Sequence, residues 1–157
     1  MKMQMLAGIA LASVLALSAV PATHADEFDQ ATQVSFSSPV RVPGNVLPAG
    51  TYWFVIASHG HNPDVVQVFN ADRTRLIRTI LTGSAERPQA TGKTVLAFAN
   101  PDTSANPGEV PALTKWFYPG RVIGTQFFYS NQTERRFRHE TEVVVPSGPN
   151  GTVVVGD

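Results

Sequence analysis

The sequence contains no cysteine, and this absence excludes several kinds of site. A chain without thiols has no disulfide framework, no thiolate metal site and no cysteine nucleophile. It also lacks the cysteine at which bacterial lipoproteins are processed, so lipid anchoring by that route is excluded. An excess of charge is missing too, because 12 Lys and Arg residues balance 12 Asp and Glu residues. Nucleic-acid binding proteins gather basic charge on one face, so no nucleic-acid partner is expected.

The first 25 residues have the organisation of a secretory signal peptide. Lys2 forms a basic start, residues 6–20 carry no charge, and small residues lead to Ala25, where a polar run begins. Cleavage is predicted after Ala25, with cleavage after Ala22 as the alternative. A permanent membrane anchor is the other interpretation, but a spanning helix needs about 20 apolar residues and this run is shorter.

Removal of the signal peptide leaves 11 basic and 12 acidic side chains and no further long apolar run. No membrane span is expected after processing, and the protein is predicted to act in the periplasm or outside the cell without a lipid anchor. The remaining length of about 132 residues is enough to bury a hydrophobic core. The domain therefore needs no metal or partner to fold, and no cofactor is expected.

Short runs rich in β-branched and aromatic residues alternate with proline and glycine, and no stretch of helical length carries an apolar stripe. The pattern predicts one all-β domain over residues 26–145, a small β-sandwich or partly open barrel. About seven or eight mostly antiparallel strands follow the signal helix. Residues 146–157 are predicted to be a flexible tail or an edge strand, and residues 39–43 an edge segment because prolines flank them.

Two motifs indicate a family. Residues 42–52 read Val-Pro-Gly-Asn-Val-Leu-Pro-Ala-Gly-Thr-Tyr, and residues 116–120 read Trp-Phe-Tyr-Pro-Gly, followed by Phe127 and Tyr129. With these motifs the chain resembles a set of uncharacterised exported bacterial proteins. The resemblance implies export and a β fold, and it implies no assigned activity.

Four aromatic residues form the candidate binding surface. Trp116 and Tyr118 share one face of a strand, and Phe127 and Tyr129 share one face of its predicted hairpin partner. Exposed rings of this kind would stack a sugar or hold a peptide, so the partner would be a carbohydrate or a protein. Aromatic residues also pair across strands to build cores. The sequence favours core packing, with Tyr118 as the most exposed of the four.

Candidate metal ligands are confined to His59, His61 and Asp64. Two histidines at i and i+2 point the same way in an extended segment, and an aspartate would add an oxygen ligand. Zinc sites use three or four ligands, and the segment has the composition of a solvated loop. The sequence therefore favours a loop, and no metal site is predicted.

No catalytic residue is predicted. Glu140 and Glu142 share a strand face at a spacing that would suit paired-carboxylate catalysis, but Arg136 and Arg138 beside them favour solvated charge pairs. The chain has no Gly-x-Ser-x-Gly nucleophile elbow. An anion site formed by arginines at positions 73, 75 and 78 is not expected, since the last two are predicted to lie on opposite strand faces.

The leading hypothesis is therefore a non-enzymatic exported β domain that acts by binding or by structural association at the cell envelope. Strand addition by a partner would use residues 39–43 or the valine-rich tail. The first alternative is a small-ligand-binding β barrel whose mouth is lined by the aromatic faces. The second is a hydrolase with no recognisable motif.

Overall fold

Eleven strands and one short helix occur in the part of the chain that the computed structural model describes, which is residues 31–57, 65–102, 104, 107–145 and 152–153. The predicted signal peptide and its cleavage site lie outside these residues. The elements are β1 (Ala31–Phe36), β2 (Val40–Val42), β3 (Asn45–Leu47), β4 (Gly50–Ile56), β5 (Val65–Asn70), β6 (Leu76–Glu86), β7 (Val95–Pro101), β8 (Ala112–Phe117), β9 (Ile123–Phe127), α1 (Asn131–Glu134), β10 (Phe137–Val144) and β11 (Thr152–Val153).

The all-β fold class is confirmed. The strand number exceeds the expected seven or eight because β2, β3 and β11 hold only two or three residues each, too few for a periodic pattern. Strand β10 carries charged side chains, which hide the apolar alternation that marks a strand. In the described part of the chain no helix is long and apolar enough to cross a membrane.

The strands form one open sheet in the order β10-β7-β8-β9-β6-β5-β4-β1-β11, with β2 paired to β8 and β3 to β2. Strand β6 lets this sheet fold back on itself. Its residues 76–81 pair with β5, and its residues 82–86 pair with β9. The result is two facing layers joined along β6, an arrangement known from sandwiches in which one strand bends from one sheet into the other.

The core fills the space between the two layers. Alternate residues of β1 point inward, so that Val34 and Phe36 are buried while their neighbours are partly exposed. The ring of Phe36 meets that of Phe98 in the opposite layer at 6.2 Å between centroids, nearly edge to face. Full burial of each such side chain stabilises the fold by about 1.5–3 kcal/mol. The interior is therefore a packed core.

Gly83 allows close packing beside the bend of β6. A Cβ atom at this position would lie 2.6 Å from the ring of Phe128, which is closer than real carbon contacts allow. Phe128 follows β9 and places its ring over the glycine, although its side chain is still 56% exposed. The glycine thus lets the chain after β9 pass close to β6.

Residues 39–43 do not form a free edge, contrary to the sequence-based expectation. Strand β2 pairs antiparallel with β3 through three residue pairs and parallel with β8 at Arg41 and Ala112. The Arg41 N–H donates to the carbonyl of Pro111 at 2.8 Å. Pro39 and Pro43 lie just outside the three paired residues of β2, so neither proline removes a hydrogen-bond donor from the ladder.

The valine-rich tail also has a described pairing. Thr152 and Val153 pair in parallel with Ser35 and Phe36 of β1. Both segments that the sequence offered for strand addition are therefore paired on at least one side within the chain. In the described part of the chain β3, β10 and β11 each keep one unpaired side.

Candidate functional site

The aromatic hairpin lies mainly inside the core. Trp116 and Phe127 are each only 1% exposed, whereas Tyr118 and Tyr129 are partly buried. Trp116 packs between Phe54 of the opposite layer and Tyr118, at 6.4 Å from each ring centroid. The four residues do not form one exposed surface, because the two layers close over the inward face of this hairpin. The rings of Trp116 and Phe127 are therefore closed to a stacking ligand.

Trp116 carries the one buried side-chain N or O atom without a hydrogen-bond partner among the described residues, its indole Nε1. A buried unpaired donor costs about 1–3 kcal/mol relative to a donor that is satisfied. The surrounding apolar rings supply packing and no acceptor, so the side chain stabilises the domain by its area and not by its polar atom.

Tyr129 links strand β2 to strand β8 through the hydrogen bonds of its hydroxyl group. Its hydroxyl group lies 2.7 Å from the carbonyl oxygen of Leu113 and 3.0 Å from that of Arg41, and it donates towards both. Its ring also meets Phe137 edge to face at 5.5 Å. Burial raises the pKa of Tyr129 well above its ordinary value, although the nearby Arg41 guanidinium opposes the shift. The hydroxyl group therefore remains a hydrogen-bond donor.

Glu109 bridges two arginines and thereby holds the start of β10. Its carboxylate pairs with Arg41 of β2 at 3.0 Å and with Arg136, the residue before β10. The Glu109 side chain is 16% exposed, and those of Arg41 and Arg136 are 31% and 40% exposed. The Arg136 carbonyl also accepts a hydrogen bond from the Asp102 N–H. No local pattern predicts this bridge, because the partners are 68 and 27 residues apart.

Strand β10 is the longest strand at an open edge of the described sheet, since β3 and β11, which also pair on one side only, hold three and two residues. It pairs antiparallel with β7 at every residue except Arg138, and no strand of the described residues pairs with its other side. Its residues 138–142 are exposed in sequence, on both faces of the strand. An uncovered strand presents unpaired N–H and C=O groups to which another strand can bond.

The direction of the β10 backbone groups follows from its pairing with β7. Val145 donates its N–H to the carbonyl of Thr94, so its backbone groups face β7. In an antiparallel ladder the direction alternates along the strand. Val143, opposite Leu96, therefore faces β7 as well, whereas Glu142 and Val144 direct their N–H and C=O groups outward. The outward groups form the free edge.

The free edge carries its charges in two blocks. Arg135, Arg136 and Arg138 lie at or before its start, and Glu140 and Glu142 follow. Arg138 lies 3.4 Å from Asp102 with its side chain 57% exposed. Glu140 lies 2.6 Å from the Lys115 ammonium and accepts from the Thr114 hydroxyl group. Glu140 is thus compensated within the chain, as expected for solvated charge pairing.

His139 and Glu140 also line a shallow groove of about 280 Å³. The carboxylate of Glu134, which shares this groove, accepts the backbone N–H of Tyr129 at 3.4 Å. The two carboxylates are thus occupied by partners from the chain itself, and His139 lies on open surface.

No group of three or more metal-ligating side chains occurs among the described residues. The candidate ligands His59, His61 and Asp64 lie outside those residues.

The three arginines around the β5–β6 turn serve different local contacts. The Arg73 guanidinium lies over the Trp53 ring at 5.1 Å, and Arg78 packs against Gly44, whose φ is +75°. Arg75 lines an open groove of about 460 Å³ together with Tyr52 and Leu76. Leu47 and Tyr52 of the core reach this groove, and none of the four aromatic residues of the β8–β9 hairpin lines it.

Comparison with known proteins gives no match: no protein-family model, no curated protein and no solved structure is significantly similar to the chain.

Proposed function

We propose that this protein is a non-enzymatic exported β domain that acts by binding or by structural association at the cell envelope. The observation that carries the proposal is the open edge of β10, a strand of eight residues paired on one side only within the described part of the chain. Partner strands commonly add to an exposed sheet edge, with main-chain hydrogen bonds supplying affinity. The location rests on the apolar segment that ends before Ala25.

The charges on β10 limit which strand can bind there. Charged side chains and bulges on an edge strand prevent indiscriminate pairing, and β10 has both, since its register with β7 shifts between Phe137 and His139. A partner strand of complementary charge would bond to the outward backbone groups without charge repulsion from β10. We therefore propose that β10 binds a complementary strand selectively and does not pair with exposed strands in general.

A photo-crosslinking amino acid at position 142 is expected to trap the partner in the native cells. The side chain of Glu142 is exposed and its backbone groups face outward, so the probe would lie within reach of an added strand. A probe at Gln89, which is exposed and lies outside β10, is the matched control. The covalent adduct, detected by gel shift and mass spectrometry, should form from position 142 and not from position 89.

The adduct should also disappear when Val144 is replaced by proline, because the substitution removes an outward N–H and obstructs the edge. Equal adducts from both positions, or an adduct that survives Val144→Pro, would show that association does not use β10. Absence of any adduct at position 142 would count against the proposal as a whole.

A further inference from the structure

We infer that the partner of β10 is a second copy of the same strand, paired antiparallel about a twofold axis. The inference rests on the proposed role of β10 and names its occupant. Pairing of this kind would continue the sheet from one copy into the other and would satisfy the outward N–H and C=O groups of both strands. An interface of one strand pair is small, so we expect a weak dimer with a Kd on the order of 10–100 µM.

The separation of the charges along the strand points to a copy of β10. Charged residues that served only to block strand pairing could be placed in any order along β10. They would not need to be separated into a basic half and an acidic half. Antiparallel pairing of two copies brings the basic half of each strand beside the acidic half of the other. Opposite charges directly across a strand pair are favourable, and like charges are unfavourable.

The same charges select a register. An axis through Glu140 places Arg138 of one copy opposite Glu142 of the other, and symmetry forms this pair twice. The two Glu140 carboxylates then face each other, but each is compensated by Lys115 at 2.6 Å. An axis one residue further along, at Thr141, would instead place Glu140 opposite Glu142 twice. Repulsion between four carboxylates disfavours that register.

The side chains of Arg138 and Glu142 are both exposed, which supports the register with its axis at Glu140. The Arg138 side chain is 57% exposed, and its pair with Asp102 is long, at 3.4 Å. Glu142 is exposed on the strand, and no ion pair of the described residues involves it. Both can therefore turn towards a facing strand at little cost.

A charge-exchange series measured by sedimentation equilibrium tests the inference. The full-length chain is expressed with export, and the purified product is studied from about 1 to 500 µM, a range that brackets the expected Kd. Arg138→Glu and Glu142→Arg should each raise the dimer Kd about tenfold, because each places like charges opposite each other twice. The double variant exchanges the two charges and should return the Kd to within about threefold of the original.

Glu142→Pro should abolish the dimer while circular dichroism still shows the β fold. A protein that stays monomeric over the whole range, a dimer that survives Glu142→Pro, or a double variant as weak as the single ones would overturn the self-pairing. These results are separable from the crosslinking result. A monomeric protein that still gives a position-142 adduct with a different chain would retain the proposed function and lose only the second copy as its partner.

Discussion

Replacing Trp116 with alanine is expected to lower the free energy of unfolding by about 3–5 kcal/mol, which is the cost of removing a large aromatic side chain from a packed core. Trp116 is 1% exposed and joins the two layers through its contact with Phe54. Its removal would open a cavity where the layers meet. Equilibrium denaturation in urea measures the change, and the midpoint should fall without a change in slope.

Trp116→Phe is the matched control for this prediction, and it should cost much less than alanine. Phenylalanine keeps most of the packing and removes the indole Nε1, which has no hydrogen-bond partner, so the penalty of an unsatisfied donor disappears. If phenylalanine were as destabilising as alanine, the polar atom would be making a contact that matters. A buried water bridging the nitrogen would explain that result.

The second large effect is expected at β10, where proline substitutions at two adjacent positions should differ strongly in how far they lower the free energy of unfolding. Val143→Pro removes an N–H that faces β7 and leaves an acceptor unsatisfied beside Leu96, which is 1% exposed. The substitution should lower the free energy of unfolding by about 2–4 kcal/mol. Glu142→Pro removes an outward N–H and should cost less than about 1 kcal/mol.

Thermal and urea unfolding of the two purified variants distinguish these outcomes. Equal losses at both positions would mean that the outward side of β10 is also bonded within the chain. In that case the edge would not be open, and both the proposed function and the self-pairing would lose their basis. A large loss at position 143 alone supports the assignment of the backbone directions.

The sequence was sufficient to predict the strands with strong side-chain alternation. In β4, the alternation of Tyr52, Trp53 and Phe54 follows directly from period-two burial. Likewise the turn at Pro119 and Gly120 separates β8 from β9, and Gly120 has a φ of +74°. These features are local, so the residues that form them are also the residues that reveal them.

The arrangement of strands could not be read from the sequence because it depends on distant pairs. Strand β2 gains a neighbour 71 positions away, at the pair of Arg41 and Ala112. Strand β10 returns to β7 across the whole β8–β9 hairpin. The charged residues of β10 are compatible with a helix or a strand in isolation. Which edge stays open is therefore decided by tertiary pairing alone.

The candidate site was missed for the same physical reason. The sequence offered the aromatic residues of the hairpin as a candidate binding surface, because exposed rings bind ligands. Trp116 and Phe127 instead pack in the core between the layers. The open edge consists of backbone groups, which every residue carries and no side-chain pattern displays. The separated charges of β10 were the available signal, and their meaning depends on knowing that the strand is an edge.

Amide hydrogen exchange at Glu142 and Val143, measured on the purified full-length gene product at about 2 µM and about 200 µM, tests whether β10 is an open edge that pairs with a second copy. The Val143 amide should be protected at both concentrations, because it bonds to β7. The Glu142 amide should exchange freely in the dilute sample and about three to seven times more slowly in the concentrated one, as a dimer of this Kd requires. Protection of Glu142 at both concentrations, or free exchange at both, would contradict an open edge that pairs with a second copy.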